Sequence, residues 1–359
     1  MIKELSLVNF RNYRNQTVSF DFGINILVGE NGQGKTNLLE AIYFLAFLRS
    51  FRTSNIQSIK KIGSKGFYLS SKLQCLNKWN RLLEIEYLTK RSLKIDNLPI
   101  LKSSDFVKQI RPVVFSSDDI KLISDSSGVR RKFIDILLSV HDKSYLSTLQ
   151  KYIISLRSRN VALRKDKIDF SLLAAFEPLL AEYALEIVKN RYQILKKISN
   201  KADKILKTIK GDNFSFDIKY VSKLESEKIS FDYILENIIL ERERDIKRGY
   251  SGLGPHSDDI EFIFNNKNLK NFGSLGQCRL AILCLKMAEI ELLLENDDEN
   301  NVVVLVDDVT GELDTRTRDS FFETISKVKQ LFFTFTKFNK SESYFKDAAV
   351  FKISDGNVS

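Results

Sequence analysis

Apolar and polar residues alternate along the first part of this chain. Leu5 and Leu7, then Val18, Phe20 and Phe22, are separated by polar positions, the period of strands with one buried face. Ile24-Asn25-Ile26-Leu27-Val28 is a denser apolar run, and it leads through a stretch with three glycines into an apolar segment from Leu38 to Leu48. That order predicts a strand, a tight loop and a helix. The two-residue period returns at Phe67 and Leu69, at Leu83, Ile85 and Tyr87, and in Val113-Val114-Phe115. A mixed sheet built around the loop follows.

From about Ile120 to Arg248 the period lengthens. Leu146, Leu149, Ile153 and Leu156 lie three and four apart, and Leu180, Tyr183, Ile187, Ile194, Ile198, Ile205 and Ile209 continue the spacing with gaps. This is a helical insertion. Pro178 is expected to break or kink it, because proline lacks an N–H and its ring crowds the preceding turn. Phe214, Phe216, Ile218 and Tyr220 then alternate like a returning strand. The apolar spacing is not sustained over the many heptads of a long coiled coil, which predicts a compact helical arm. After Arg248, Ile260, Phe262 and Phe264 resume the strand period and a helix is expected from about Leu275 to Leu294. Val302-Val303-Val304-Leu305-Val306 then reads as a buried parallel strand ending in Asp307-Asp308.

The loop itself carries chemistry. Gly29-Glu30-Asn31-Gly32-Gln33-Gly34-Lys35-Thr36 has the Walker A spacing, between a predicted strand and a predicted helix. Its glycines allow backbone conformations and close approaches that a Cβ blocks, so successive N–H groups can turn onto phosphate oxygens. Lys35 would reach the β and γ phosphates of ATP and the Thr36 hydroxyl would ligate Mg²⁺, with the positive end of the helix dipole facing the same anions.

Composition narrows the classes. At 359 residues the chain is long enough for two domains or one domain with a large insertion, and 43% hydrophobic residues exclude general disorder. The net charge of +10 makes an anionic partner such as nucleic acid plausible. Between Lys189 and Lys210 there are eight basic residues against Asp203 alone, and Arg157, Arg159, Arg164, Lys165 and Lys167 form a second group. Each reads either as a solvated helix face or as a phosphate-contacting stripe. Cys75, Cys278 and Cys284 form no C-x-x-C pair and the histidines are His141 and His256, so neither a zinc site nor a disulfide framework is expected. Met1-Ile2-Lys3-Glu4-Leu5 lacks the pattern of a signal peptide, and the run from Ala41 to Leu48 is too short to span a bilayer. A soluble, cytoplasmic protein with no membrane partner is expected.

An apolar strand ending in aspartate is the Walker B pattern. Asp307 would hold Mg²⁺ through its water shell, completing what Thr36 begins, and Asp308 would orient or polarise the attacking water. Ser274-Leu275-Gly276-Gln277 opens a helix where transport-type ATPases carry a signature of the form S-G-G-Q. In that architecture Ser274, Gly276 and Gln277 complete the γ-phosphate site of a partner chain, so that ATP bridges two subunits. Gly311-Glu312-Leu313-Asp314 matches the loop that crosses to the partner, and Gln330 to Thr336 reads as a last core strand, either at the position that senses γ-phosphate or a plain strand with surface threonines. Gln57 and Gln74 are both candidates for the Gln-loop role.

Together these elements resemble the ABC-type ATPase heads, and within them the RecF family. Leu7-Val8-Asn9-Phe10-Arg11-Asn12-Tyr13, the loop from Gly29 to Asn37, Arg248 through Gly254-Pro255-His256-Ser257-Asp258-Asp259, Leu275-Gly276-Gln277, and Asp307-Asp308-Val309 with Glu312-Leu313-Asp314 fall in family order over nearly the whole length. Phe51, Gly311, Phe335 and Lys337 depart from the family pattern. The resemblance implies an α/β P-loop NTPase of the ABC ATPase head type with an inserted helical arm. Residues 1–120 and 249–359 would form the head and 121–248 the arm. It implies an ATP-dependent homodimer that binds single-stranded, gapped and duplex DNA and hydrolyses ATP slowly, Lys35 and Asp308 serving catalysis. It also implies action with RecO and RecR to load the recombinase at gaps, and roles in recombinational repair, replication restart and the SOS response. Arg11 either contacts nucleotide or caps the first strand, and the resemblance implies the former. The same motifs also serve chromosome-organising heads of the SMC kind and transporter ATPase subunits, the alternatives considered.

Overall fold

In a computed structural model, residues 1–74, 80–107, 109–142, 144–295, 301–308, 313–338 and 343–359 are described. The chain divides into two compact units, one made of Met1–Asp119 with Leu283–Ser359 and the other of Ile120–Ile282.

The first unit opens with the antiparallel strands β1 (Ile2–Phe10) and β2 (Tyr13–Ser19), where alternation was evident, and continues into β3 (Gly23–Val28) and helix α1 (Lys35–Phe47). Strands β4 (Phe67–Gln74), β5 (Asn80–Tyr87), β6 (Arg91–Ile95) and β7 (Leu98–Pro99) join β1 and β2 in an antiparallel sheet of order β2-β1-β4-β5-β6-β7. A single turn, α2 (Ser103–Phe106), precedes β8 (Arg111–Ser116). Helix α1 is apolar almost all round because it is covered on both sides. It touches β1, β4 and β5 of the antiparallel sheet and β8 of a second sheet. Phe44 meets Phe10 and Phe67 edge to face, with ring centroids 6.3 and 5.5 Å away.

The second unit begins with the turn α3 (Lys121–Ser124) and the helices α4 (Ser127–His141), α5 (Tyr145–Ala162) and α6 (Phe170–Lys210). Helix α6 runs unbroken for 41 residues, on the order of 60 Å at 1.5 Å per residue. Pro178 does not end it. Pro178 and Ala174, the residue one turn earlier whose carbonyl loses its donor, both lie on the exposed face, so water can satisfy the freed oxygen. Strand β9 (Phe216–Val221), helices α7 (Phe231–Leu240) and α8 (Arg242–Arg248), strands β10 (Asp259–Phe264) and β11 (Lys267–Asn268) and the turn α9 (Leu269–Phe272) complete this unit. Pairing of β9 with β10 carries residues beyond 248 into it, so its far boundary falls at Ile282.

Helix α10 (Leu275–Leu294) starts in the second unit and returns the chain to the first. There β12 (Val302–Asp307), β13 (Gln330–Phe335), β14 (Ala349–Ser354) and β15 (Asn357–Val358) join β3 and β8 in the second sheet, of order β15-β14-β3-β13-β12-β8, with helix α11 (Thr315–Ile325) between β12 and β13 in the chain. From β14 to β8 every pair is parallel. Val302 to Val306 are at most 2% exposed, as a central parallel strand requires.

Two arginines that belong to the basic groups of the sequence are interior residues. Arg159 is fully buried, bonding the Asp245 carboxylate at 2.6 Å, Ser251 Oγ at 2.7 Å and Glu177 at 3.2 Å. Arg191 is 2% exposed and donates to Asp135 at 2.8 Å and to the Pro255 carbonyl at 2.6 Å. The basic stripe is therefore thinner than the sequence suggested, although Lys189, Lys196, Lys197 and Lys204 of α6 are exposed. Breaking such a pair strands a charge in the core. Arg159→Met is expected to lower the unfolding free energy by about 3–5 kcal/mol in urea titrations, and the exposed Arg157→Met by less than about 0.5 kcal/mol.

His256 sits beside this network. Its Nε2 is 2.8 Å from the Ser251 carbonyl, which can only accept, so Nε2 carries the proton and Nδ1 accepts from the Tyr152 hydroxyl at 2.6 Å. Burial holds the imidazole pKa below its ordinary value of 6.5. The stability this neutral ring contributes is complete above that value and is lost as pH falls through it, because the unfolded chain takes up the proton first. Unfolding free energy measured from pH 8 to 5 should decline below about pH 6.5, and less steeply in His256→Gln.

Candidate functional site

The parallel register of the second sheet assembles the site. Pairing of Asp307 with Thr334, and of Thr334 with Leu27, brings the carboxyl ends of β12, β13 and β3 level, and the glycine loop leaves β3 at that edge. Open α/β sheets place ligands there. The Thr36 hydroxyl lies 2.9 Å from both oxygens of Asp307, and the Thr334 hydroxyl donates to Asp307 Oδ1 at 2.8 Å. Two hydroxyls and a carboxylate converge on one point, the hard oxygen donors that suit Mg²⁺.

Lys35 opens α1 and folds back over the loop, its Nζ donating to the carbonyls of Gly29 at 2.5 Å and Glu30 at 2.9 Å. Burial lowers its pKa, opposed by the carboxylates of Asp308 and Asp307. Asp308, exposed and in the left-handed region at φ 55°, is thus the second carboxylate acting on this amine. No acidic residue occupies the first turn of α1, leaving the positive helix end free for an anion.

The glycines have separate reasons. Gly32 and Gly34 take φ values of 81° and 123°. Gly29 has no room for a side chain, since a Cβ there would lie 2.2 Å from the Ile353 carbonyl oxygen of β14. The other loop candidates, Glu30, Asn31 and Gln33, line the same turn, and Gln33 Oε1 accepts from the backbone N–H of Asp355 at 2.6 Å.

Ser274, Gly276 and Gln277 belong to the second unit and Lys35, Thr36, Asp307 and Asp308 to the first. Ser274 Oγ accepts from the Gln277 N–H at 3.2 Å and Gln277 Oε1 from the Ser274 N–H at 3.0 Å. This reciprocal capping box fixes the start of α10. All three residues are exposed, and nothing stands within 4 Å of a Cβ on Gly276. Of the crossing loop, Gly311 and Glu312 lie outside the described residues, while Asp314 caps α11 by accepting from the Thr317 N–H at 2.9 Å. Gln57 is exposed on the turn Ile56–Ile59, whose Ile59 is buried, and Gln74 ends β4. Arg11 forms a two-bond pair with Glu40 of α1 at 2.7 and 2.6 Å and donates to the Ser58 carbonyl at 2.8 Å.

Sequence reasoning quoted Asn12 and Tyr13 only within the stretch Leu7 to Tyr13 that carries the family resemblance, giving them no role, and did not name Glu40 or Gly356. The Asn12 amide donates to the Gln33 carbonyl at 2.8 Å and the Tyr13 hydroxyl to the Gly34 carbonyl at 3.0 Å. Glu40, fully buried, also accepts from Ser50. For Glu40 the signal in the sequence was a carboxylate inside an apolar helix. Among the described residues there is no cluster that could hold a metal through three His, Cys, Asp or Glu side chains, and no helix is long and apolar enough to cross a membrane.

Comparison with known proteins agrees with this architecture. The chain matches the RecF/RecN/SMC N terminal domain family over residues 1–356. It is 37% identical over 364 residues to the DNA replication and repair protein RecF of Streptococcus gordonii, covering 99% of both chains. It is 34% identical to that of Streptococcus suis, over 99% of this chain and 98% of the other. Among solved structures it is similar to the recombination mediator protein RecF with ATP in the RecFOR pathway, with a TM-score of 0.91 and 31% identity over 100% of this chain and 96% of that one. The Smc head domain of Pyrococcus furiosus, at 16% identity and a TM-score of 0.55 over 99% of this chain and 94% of that one, shares the fold. The fold is that of an ABC-type ATPase head.

The close approach of β14 makes a direct test. Gly29→Ala must push the loop off the Ile353 carbonyl. Its unfolding free energy in denaturant titrations should fall by about 1–3 kcal/mol.

Proposed function

The chain belongs to the RecF family, and on that premise we propose that it is an ATP-dependent DNA-binding protein of recombinational repair, replication restart and SOS induction. The observation that carries this reading is the convergence of Thr36, Thr334 and Asp307 beside Lys35 at the carboxyl edge of the parallel sheet. The glycine loop, without side chains at positions 29, 32 and 34, fits a polyphosphate, and the hydroxyl and carboxylate donors fit its Mg²⁺. When bound, Mg²⁺ supplies charge neutralisation of the phosphate oxygens.

In this reading the backbone from Gly29 to Gly34, including Glu30, Asn31 and Gln33, cradles the phosphates of ATP. Lys35 neutralises the β and γ oxygens, Thr36 and Asp307 hold the metal, and Asp308 orients the attacking water. Ser274, Gly276 and Gln277, exposed at a capped helix start, act on the ATP of a second copy. The unit made of Met1–Asp119 and Leu283–Ser359, which carries the phosphate loop, serves as the ATPase head, and the helices between 121 and 248 serve as the helical arm. ATP is mainly a dimerisation switch, and hydrolysis is weak and stimulated by DNA. The exposed Lys189, Lys196, Lys197 and Lys204 contact the phosphates of single-stranded, gapped or duplex DNA without reading sequence. RecO and RecR are the partners with which the dimer helps load the recombinase, in the cytoplasm.

Fluorescence anisotropy of labelled gapped DNA, with and without ATP and Mg²⁺ across a salt series, tests this function. ATP should tighten binding by roughly 5- to 150-fold, and the affinity should fall steeply with salt. Lys35→Met should remove the ATP effect, and Ser274→Arg should spare nucleotide binding yet abolish ATP-driven dimers in sedimentation. DNA binding that ignores ATP would reject the switch.

A further inference from the structure

The phosphate loop is gripped from outside by two turns distant in sequence. One is the β1–β2 turn, in which Asn12 Nδ2 donates to the Gln33 carbonyl at 2.8 Å and the Tyr13 hydroxyl to the Gly34 carbonyl at 3.0 Å. The other is the β14–β15 turn. Its Gly356 N–H donates to the same Gln33 carbonyl at 3.0 Å, and its Asp355 N–H to Gln33 Oε1 at 2.6 Å. The two turns also touch each other closely, since a Cβ on Gly356 would lie 2.8 Å from the Asn12 carbonyl oxygen.

Both turns are themselves held. Arg11, at a left-handed φ of 54°, is locked by its two bonds to the buried Glu40 of α1. Asn12 Oδ1 accepts from Asn37 Nδ2 at 2.8 Å, and Asn37 Oδ1 from Arg52 at 2.8 Å. On the other side, Val358 N–H reaches Gln16 Oε1 of β2 at 3.3 Å.

The consequence follows from the planar trans peptide, in which the carbonyl of one residue and the N–H of the next point in opposite directions. Drawing the Gln33 carbonyl toward Asn12 and Gly356 aims the Gly34 N–H the other way. Drawing the Gly34 carbonyl toward Tyr13 does the same for the Lys35 N–H. These N–H groups lie at the start of α1, where the backbone has no intrahelical acceptor.

We propose that Asn12, Tyr13 and the Asp355-Gly356 turn form a clamp that sets the phosphate loop in its binding conformation before nucleotide arrives. They are positioning residues: they hold carbonyls outward so that N–H groups stay turned toward a phosphate. The proposal rests on the reading of this loop as a nucleotide site. Its physical effect is preorganisation, because a loop already in shape loses less freedom on binding. A clamp on the loop backbone serves ADP and ATP alike.

The test is titration of the full-length protein with fluorescent methylanthraniloyl-ATP and methylanthraniloyl-ADP, together with the melting temperature of the nucleotide-free protein. Asn12→Leu removes the donor to Gln33. Gly356→Ala forces a Cβ against the Asn12 carbonyl at a φ of 73°, which also disfavours a side chain. Each should weaken both nucleotides by about tenfold, the loss of one or two hydrogen bonds' worth of organisation. The melting temperature should move by no more than a few degrees. Lys35→Met is measured alongside. If it binds like the parent, the loop is not a nucleotide site and the clamp falls with that reading. If it loses binding while Asn12→Leu and Gly356→Ala keep the parent affinity, the clamp alone is overturned. Losses that simply track melting temperature, or that affect ATP and spare ADP, overturn it as well.

Discussion

The hydrogen bond from Thr36 to Asp307 depends on the alignment of three parallel strands. Thr36 follows β3 by a loop, Asp307 ends β12, and β13 lies between them. A shift of one residue in either pairing would turn Asp307 or Thr334 to the other face of the sheet, because side chains alternate along a strand. The register is held by buried apolar contacts: Val302 to Val306 and Phe332 and Phe333 are all nearly inaccessible to solvent. Hydrophobic burial thus sets the position of three polar side chains. Chemistry at the edge is a consequence of packing in the middle.

The second unit solves a different problem. Its long helix α6 buries one face along its length, and in that face stands Arg191, bonded to Asp135 and to the Pro255 carbonyl. Arg159 does the same for Ser251 and Asp245, and Tyr152 with His256 extends the network into the segment Gly252 to Asp258. Buried ion pairs contribute modestly to net stability, since desolvation offsets their attraction, but a stranded partner is costly. The segment that links α8 to β10 is fixed by charge and geometry. It has few apolar side chains with which to pack.

The loop shows how a short motif depends on distant chain. A glycine loop is permissive by composition, and left to itself it would sample many conformations. Gly29 is confined by the Ile353 carbonyl, while Gln33 and Gly34 are engaged by Asn12, Tyr13 and Gly356. The flexible residues permit the shape and their neighbours impose it.

Much of this was legible in the chain alone. The period-two and period-three-to-four patterns marked the strands and the helical insertion, and the spacing of Gly29, Gly34, Lys35 and Thr36 marked the loop, because local geometry and local chemistry repeat at fixed separations. Asp307 was legible for the same reason, at the end of an apolar run. Other features were decided only by the tertiary structure. Pro178 stands inside an unbroken helix because its face is exposed, and Arg159 and Arg191, indistinguishable in sequence from surface charges, are interior because carboxylates converge on them. The partners of the loop carbonyls, at positions 12, 13 and 356, come from both ends of the chain. Separation in sequence carries no trace of such contacts, whereas the pairing of β3 with β14 in one sheet and of β1 with β2 in the other leaves their turns within hydrogen-bond distance of the loop.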